Sequence, residues 1–366
     1  MIGFIAGVNP LINSCSKLSS ESRTFKARNS IIVCSTASSK RALIVTNKGG
    51  GHGELGYHLC ESLLKEGLTV DILNDNGGDS SKVVSKPPFS SYSELEKHGV
   101  GITFLDISDH SAIENVFEKN EMSYDFIFDN QNVSQEFILQ KAVSQNAFYA
   151  YVSSGGMYIP GDEFPMTESN PTKESTQRKH EELVLSDEFR SKLRGCAFFR
   201  PQYIVGPLTN KRDYLDWFFD RIVKGNPMLI PAPGTQRTTV TDARDVASMI
   251  ASVVNYESAI SEEEQKDKRL GPVFNCASDV YVTLRQIAVE CGNACGKSEQ
   301  EIDALIEYYE ADKKPEGSKF PFRATNFDVG VEKAKSVLNW KPQYSSDFKA
   351  LAKEYYEGYC ALGLPK

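Results

Sequence analysis

The stretch Arg41-Ala-Leu-Ile-Val-Thr-Asn-Lys-Gly-Gly-Gly-His-Gly-Glu-Leu-Gly56 (RALIVTNKGGGHGELG) decides the fold. Its first seven residues form an apolar, branched run of the kind found in a strand buried on both faces. Glycines follow at 49, 50, 51 and 53, broken only by His52. A helix is expected over 54–67, with Leu55, Leu59 and Leu63 on one face and Gly67 as its stop. Gly50-x-x-Gly53-x-x-Gly56 therefore lies between a strand and a helix, the context a dinucleotide fingerprint needs. The first glycine permits a tight turn, the second a close approach of backbone to pyrophosphate, and the third close packing of helix on sheet. In that reading Asp75 binds the ribose hydroxyls and Asp106 borders the adenine, while Lys48 adds charge to the anion site. The competing reading is that the glycines only solve a packing problem. Asn47-Lys48-Gly49 also lengthens the turn, which moves a pyrophosphate out of register. His52 reads as a loop histidine before a phosphate contact.

Outward from this unit the pattern repeats. Strand-like runs at 68–73, 101–109, 124–130, 147–156 and 195–206 are separated by helical patterns, with a polar, Pro-containing excursion at 85–95. Alternation of this kind predicts an α/β fold, a Rossmann-like doubly wound parallel sheet. Beyond 206 the order loosens into a helix at 213–225, an extended Pro-rich piece at 227–234, a helix at 244–254 and a strand at 272–278. The charged run 261–270 reads as a solvated loop. The expected organisation is a leader over 1–40, a Rossmann-like NAD(P)-binding-type domain over 41–206, and a smaller C-terminal lobe over 207–366 interleaved with it.

The leader carries nine serines and five Lys/Arg against one acid, Glu21. That composition is expected of an organelle transit peptide, a plastid before a mitochondrion because Ser outweighs Arg; the alternative is a disordered tail. Without the leader the formal charge of −8 becomes −12, so polyanion binding by the whole surface is excluded and any nucleic-acid contact needs a local basic patch. No apolar run is long enough to span a membrane. The eight cysteines contain no CxxC pair, and Cys291 and Cys295 lack partners for a metal site, so they read as reduced core residues.

The segment SSGGMYIPGDEFPMTESNP (153–171) resembles the extended short-chain dehydrogenase/reductase pattern. Ser154 falls where that family keeps a carbonyl-polarising hydroxyl. Lys179 matches the lysine of Tyr-x-x-x-Lys, and Glu182 an acid often found after it. The tyrosine position is Ser175, whose hydroxyl has far too high a pKa to replace a phenol unaided. Redox chemistry is therefore not expected. Tyr158, the other tyrosine at hand, reads as core packing.

YDFIFDNQN (124–132) has Asp129-Asn130 where the redox enzymes usually keep a His-Leu-Ala-like stretch beside the cofactor. KPPFSSYSEL (86–95), the RPQY and DWFFDRIV segments of 199–238, and FPFRATNFDVGVEKAKSVLNWKP (320–342) together resemble the chloroplast stem-loop-binding proteins. These are atypical members of the same superfamily, and the resemblance covers about 41–345. It implies binding of plastid RNA stem-loops, divalent-metal-assisted endoribonuclease activity with Mg²⁺ as the candidate ion, and association with ribosomes or transcription complexes in the stroma. NAD(P) is the cofactor the fold implies, with an epimerase, dehydratase or reductase as the alternative function; a non-catalytic RNA scaffold is the third. Candidate RNA contacts are Lys211, Arg212, Arg221, Lys224 and Arg237, with Arg244 nearby. Tyr214, Trp217, Phe218 and Ile222 recur at helical spacing and read as core. No nuclease or metal residues stand out, and homo-oligomerisation is left open.

Overall fold

Strand β1 (Arg41–Thr46) lies inside a seven-stranded sheet because every residue after Arg41 is buried. The structure, a computed structural model, describes residues 40–47, 51–75, 87–119, 123–131, 136–209, 213–316 and 318–364. The readings placed on the leader, Lys48, Gly49, Gly50, Lys211 and Arg212 fall outside these residues. β1 leads into α1 (Gly51–Lys65), which begins three residues before the expected start at 54. β2 (Thr69–Asp75) and β3 (Gly101–Leu105) extend the sheet to one side. β4 (Phe126–Asn130), β5 (Phe148–Val152) and β6 (Gly195–Pro201) extend it to the other. Far along the chain Val273–Cys276 adds the last edge strand, numbered β11 below, so that the order is β11-β6-β5-β4-β1-β2-β3. Every pairing is parallel, and β1 pairs with both β2 and β4, which places the reversal of strand order at its carboxyl end. This is the expected Rossmann-like doubly wound sheet.

Strand residues alternate between two cores. Ala42, Ile44, Ile72, Phe126, Phe128, Ala150 and Phe199 face one side. Leu43, Val45, Leu73, Ile127, Tyr149, Tyr151 and Phe198 face the other. The second face is covered by α3 (His110–Lys119), α4 (Glu136–Ser144) and α5 (Thr176–Val184), through residues such as Ile113, Leu139 and Val184. The stretch expected as a polar excursion instead packs. Its described part forms a short turn and α2 (Tyr92–Lys97), and Phe89, Tyr92 and Leu95 are buried beside Tyr57.

After β6 come β7 (Ile204–Val205), α6 (Leu215–Lys224), β8 (Met228–Pro231), β9 (Arg237–Thr238) and β10 (Thr241–Asp242). α7 (Ala243–Ala251) then returns to the main sheet, packing on α1. α8 (Val253–Lys266) continues from it, which corrects the solvated-loop reading of 261–270. Glu264 is buried against the Arg190 guanidinium, and Glu263 accepts from Lys266 and meets Lys333 at 3.1 Å. Glu, Gln and Lys are good helix formers, so a charged run with tertiary partners folds as helix. Only 267–270 turn away, with Asp267 accepting the Arg269 and Leu270 N–H groups.

Past β11, β12 (Val282–Thr283) pairs with β9, and α9 (Leu284–Ala294), α10 (Glu299–Asp303) and β13 (Ile306–Tyr309) follow. α11 (Glu332–Val337) covers β11, and α12 (Phe348–Ala361) packs on α9 and α6 around Phe218, Phe219, Ile287 and Tyr355. Cys60, Cys196, Cys276 and Cys291 are free and buried; Cys360 is exposed, outside the core expected for it.

Candidate functional site

The carboxyl ends of β1, β4 and β5 converge where the sequence places its glycine loop and serine pair. At Gly56 the helix comes so close to the sheet that a Cβ would lie 2.8 Å from Thr46 Oγ1 and 3.2 Å from Asn130 Nδ2. Gly53 lies in the first turn of α1. Asp75 ends β2, and its Oδ1 accepts the Ile107 N–H at 3.5 Å. Asp106 caps the turn after β3, accepting from Ser108 N at 2.9 Å and Ser108 Oγ at 2.6 Å. The two acids thus stand at the tips of neighbouring strands.

Glu54, which the sequence reading passed over, is wholly buried one residue beyond Gly53. Its Oε1 accepts the Leu208 N–H at 2.9 Å, and His58 Nε2 lies 3.6 Å away. Burial pushes the Glu54 carboxyl above its ordinary range, against the His58 contact. His58 is raised to about 9: burial opposes this, but Glu54 and Glu61 together outweigh it. Acids in a first helical turn favour the dipole and are usually solvated; nothing local announces that a loop 150 residues later will cover this one.

Both serines carried over from the dehydrogenase pattern cap the start of a helical turn. Ser154 caps a turn over Gly155–Met157, accepting the Gly156 N–H at 3.1 Å. Ser175 is the N-cap of α5: its Oγ accepts the Arg178 N–H at 3.1 Å and points its own proton toward Met157 Sδ at 3.7 Å. Lys179 is exposed one turn on, and Glu182 pairs with Arg178. Residue 175 is therefore spent on the helix end. Ser175→Ala is expected to lower stability by about 1 kcal/mol in urea unfolding, and Ser175→Asp, which keeps the cap, by only a few tenths. Equal losses from both would show that the cap contributes nothing.

Beneath these positions lies a buried polar network. Arg200 and Glu181 are both fully inaccessible, joined by Nε–Oε1 at 3.0 Å and Nη2–Oε2 at 2.7 Å. Ser153 Oγ donates to Glu181 at 2.7 Å. Arg200 Nη1 donates to the Tyr158 hydroxyl at 3.0 Å, and that hydroxyl donates to Asn275 Oδ1 at 2.7 Å. Burial holds Tyr158 well above an ordinary phenol. On the opposite face Tyr149 donates to Asp129 Oδ2 at 2.6 Å and lies 2.8 Å from His180 Nε2. Burial alone raises Asp129 to about 7, opposed by Tyr149 and Gln131, and lowers His180 to about 4.

The basic candidates are dispersed among partners. Arg221 lies over Trp217 at 3.7 Å and donates to the Trp217 carbonyl, and burial lowers its pKa. Lys224 is exposed at the end of α6. Arg237 pairs with Asp328 at 2.6 Å and Arg244 with Asp242 and Glu354 at 2.7 Å each. Phe218 and Ile222 are core, with Tyr214 and Trp217 half-buried. Two of the arginines nevertheless stack on exposed tyrosines, Arg237 over Tyr281 and Arg244 over Tyr344, each at 3.8 Å. Ser278 Oγ donates to the Ser345 carbonyl and Ser346 Oγ to Asp279, so both stacks border one pair of joined loops. A cleft of about 730 Å³ opens elsewhere, between 168–174, the Arg178–Glu182 side of α5 and 267–270; its lining mixes Lys268 and Arg269 with Glu174 and Asp267. Among the described residues no three His, Cys, Asp or Glu side chains are grouped to hold a metal, and no helix is long and apolar enough to cross a membrane.

No family model matches the chain. It is 29% identical over 317 residues, 85% of this chain and 77% of the other, to the chloroplast stem-loop binding protein of 41 kDa b of Arabidopsis thaliana. That is the likeness the RPQY and DWFFDRIV segments suggested. Among solved structures, the dTDP-glucose 4,6-dehydratase of Bacillus anthracis in complex with NAD is 15% identical, with a TM-score of 0.64 over 88% of this chain and 97% of that one. The UDP-glucose 4-epimerase of Thermotoga maritima is 15% identical, with a TM-score of 0.63 over 88% and 99%. These likenesses establish the fold alone, which this chain shares with the dehydratase and the epimerase.

Proposed function

We propose that this chain is a plastid RNA-binding protein that recognises stem-loop transcripts on a dehydrogenase scaffold retired from redox catalysis. The observation that carries the reading is the 29% identity along most of both chains to a stem-loop binding protein. Ser175 supports it from the other side, since the position that must carry an acid–base phenol is a helix cap. In an acidic body the contact must be local. The joined loops around Tyr281 and Tyr344 offer two exposed rings, each with an arginine on one face. Stacking of unpaired loop bases on such rings, with guanidinium groups beside the phosphates, suits single-stranded parts of a stem-loop. Lys211 and Arg212 remain candidates for phosphate contact, as do Lys224 and Arg221. Plastid location is proposed from the same relationship; ribosomes or transcription complexes are proposed as partners from the family resemblance alone.

The test is a binding titration of the full chain with a stem-loop RNA in rising salt, with Mg²⁺ or EDTA. Saturable binding that weakens as salt rises is expected. Tyr281→Ala with Tyr344→Ala should weaken it roughly tenfold or more, from about 1–3 kcal/mol per stacked base. Lys211→Ala with Arg212→Ala should weaken it without loss of folding and flatten the salt dependence. Cuts that need Mg²⁺ and track the pure protein would establish the nuclease; binding without cuts would establish the scaffold. No saturable binding at low salt would end the RNA reading.

A further inference from the structure

A doubly wound sheet binds the diphosphate of a dinucleotide at the start of the helix after its first strand. Free N–H groups and the helix's partial positive charge form the anion site. Here that helix is α1, and its first four N–H groups belong to Gly51, His52, Gly53 and Glu54. We infer that Glu54 fills this anion site from within, so that the chain does not hold NAD(P) as a resident cofactor. The inference concerns the dinucleotide only and stands whether or not RNA binds elsewhere.

Several observations carry it. The Glu54 side chain is fully buried, so its charge is not dispersed in water and acts at the helix end itself. The covering loop closes on the carboxylate: Leu208 N–H donates to Oε1, and a Cβ on Gly206 would fall 2.2 Å from the same atom. Oε2 is buried and has no partner among the described residues, an acceptor that an incoming anion could not satisfy. The countercharge is already committed, since buried His58 sits 3.6 Å from Glu54 Oε1 and 2.8 Å from Glu61 Oε2, one imidazole between two carboxylates. A second buried acid, Asp242, is held by Arg244. A diphosphate would add two negative charges beside a carboxylate whose countercharge among the described residues, His58, is already shared with Glu61.

The test is calorimetric titration of the full chain with NADH, and with adenosine as an uncharged comparison. Glu54→Gln keeps the shape and removes the charge; Glu54→Leu removes the acceptor as well. Glu54→Gln is expected to bind NADH roughly tenfold or more tightly than the wild type, with adenosine unchanged. Wild-type protein, denatured after purification, should release no dinucleotide. NADH binding equal or weaker in both folded variants would overturn the inference, as would stoichiometric NAD(P) released from the wild type. Should both variants fail to fold, the wild-type release measurement decides the matter alone.

Discussion

Glu181→Ala is expected to destabilise the protein by about 3–5 kcal/mol, the cost of leaving a buried charge without its partner. Arg200 has no exposed surface, and four of its hydrogen bonds run to Glu181, Tyr158 and the Glu168 carbonyl. Removing the carboxylate leaves the guanidinium with one hydroxyl and one carbonyl, neither charged. Ser153 and Arg178 lose an acceptor as well. Ser153→Ala, which takes one neutral donor from a carboxylate that keeps its others, should cost only about 1 kcal/mol. Breaking an exposed pair such as Lys97–Glu94 should change stability by less than about 1 kcal/mol. Urea unfolding of the three variants checks the ordering. A Glu181→Ala loss no larger than that of Ser153→Ala would mean that water reaches Arg200. The same substitution should leave the RNA titration of the folded protein intact, because no residue of the network is among the proposed RNA contacts.

This network shows where sequence reading stops. The first strand, the glycine spacing and the parallel sheet were legible because each rests on a short local pattern. The Ser175 substitution was legible too, because its position is fixed by spacing to Lys179. Its cap role was not, since that depends on where α5 begins. Arg237 reads as a free cation until Asp328, 91 residues later, closes on it. Glu54 reads as a solvated helix start until Leu208 covers it. Arg200 sits in the quoted RPQY, yet its partner is on another element, 19 residues upstream. Long-range pairs of this kind decide which charges face a ligand, and they leave no periodic trace in the chain. The RNA candidates were read from basic residues interleaved with aromatics, a pattern that does not show which charges are already paired, so they are the part most revised by the ion pairs.

The second large effect concerns pH, through Asp129 and His180. Asp129 has an ordinary value of 3.8 and is raised to about 7 in the fold by burial. Its contribution is therefore fully present below about 4 and is lost as pH rises through 7. His180 has an ordinary value of 6.5 and is lowered to about 4, also by burial. Its contribution is present above 6.5 and is lost as pH falls toward 4. Between about 4 and 6.5 the folded chain holds both groups neutral while the unfolded chain ionises both, so the two slopes cancel in the wild type. Single substitutions uncover them. Asp129→Asn, relative to wild type, should gain about 4 kcal/mol between pH 4 and 7. His180→Gln, which keeps a donor for the Tyr149 oxygen, should instead lose about 3 kcal/mol relative to wild type between pH 4 and 6.5. Groups such as His58 titrate in all three proteins and drop out of the differences. Urea unfolding at intervals across this range reads both profiles. If the three curves run parallel, the pair is solvated in the native state, and Tyr149 bridges two groups that titrate as they would in water.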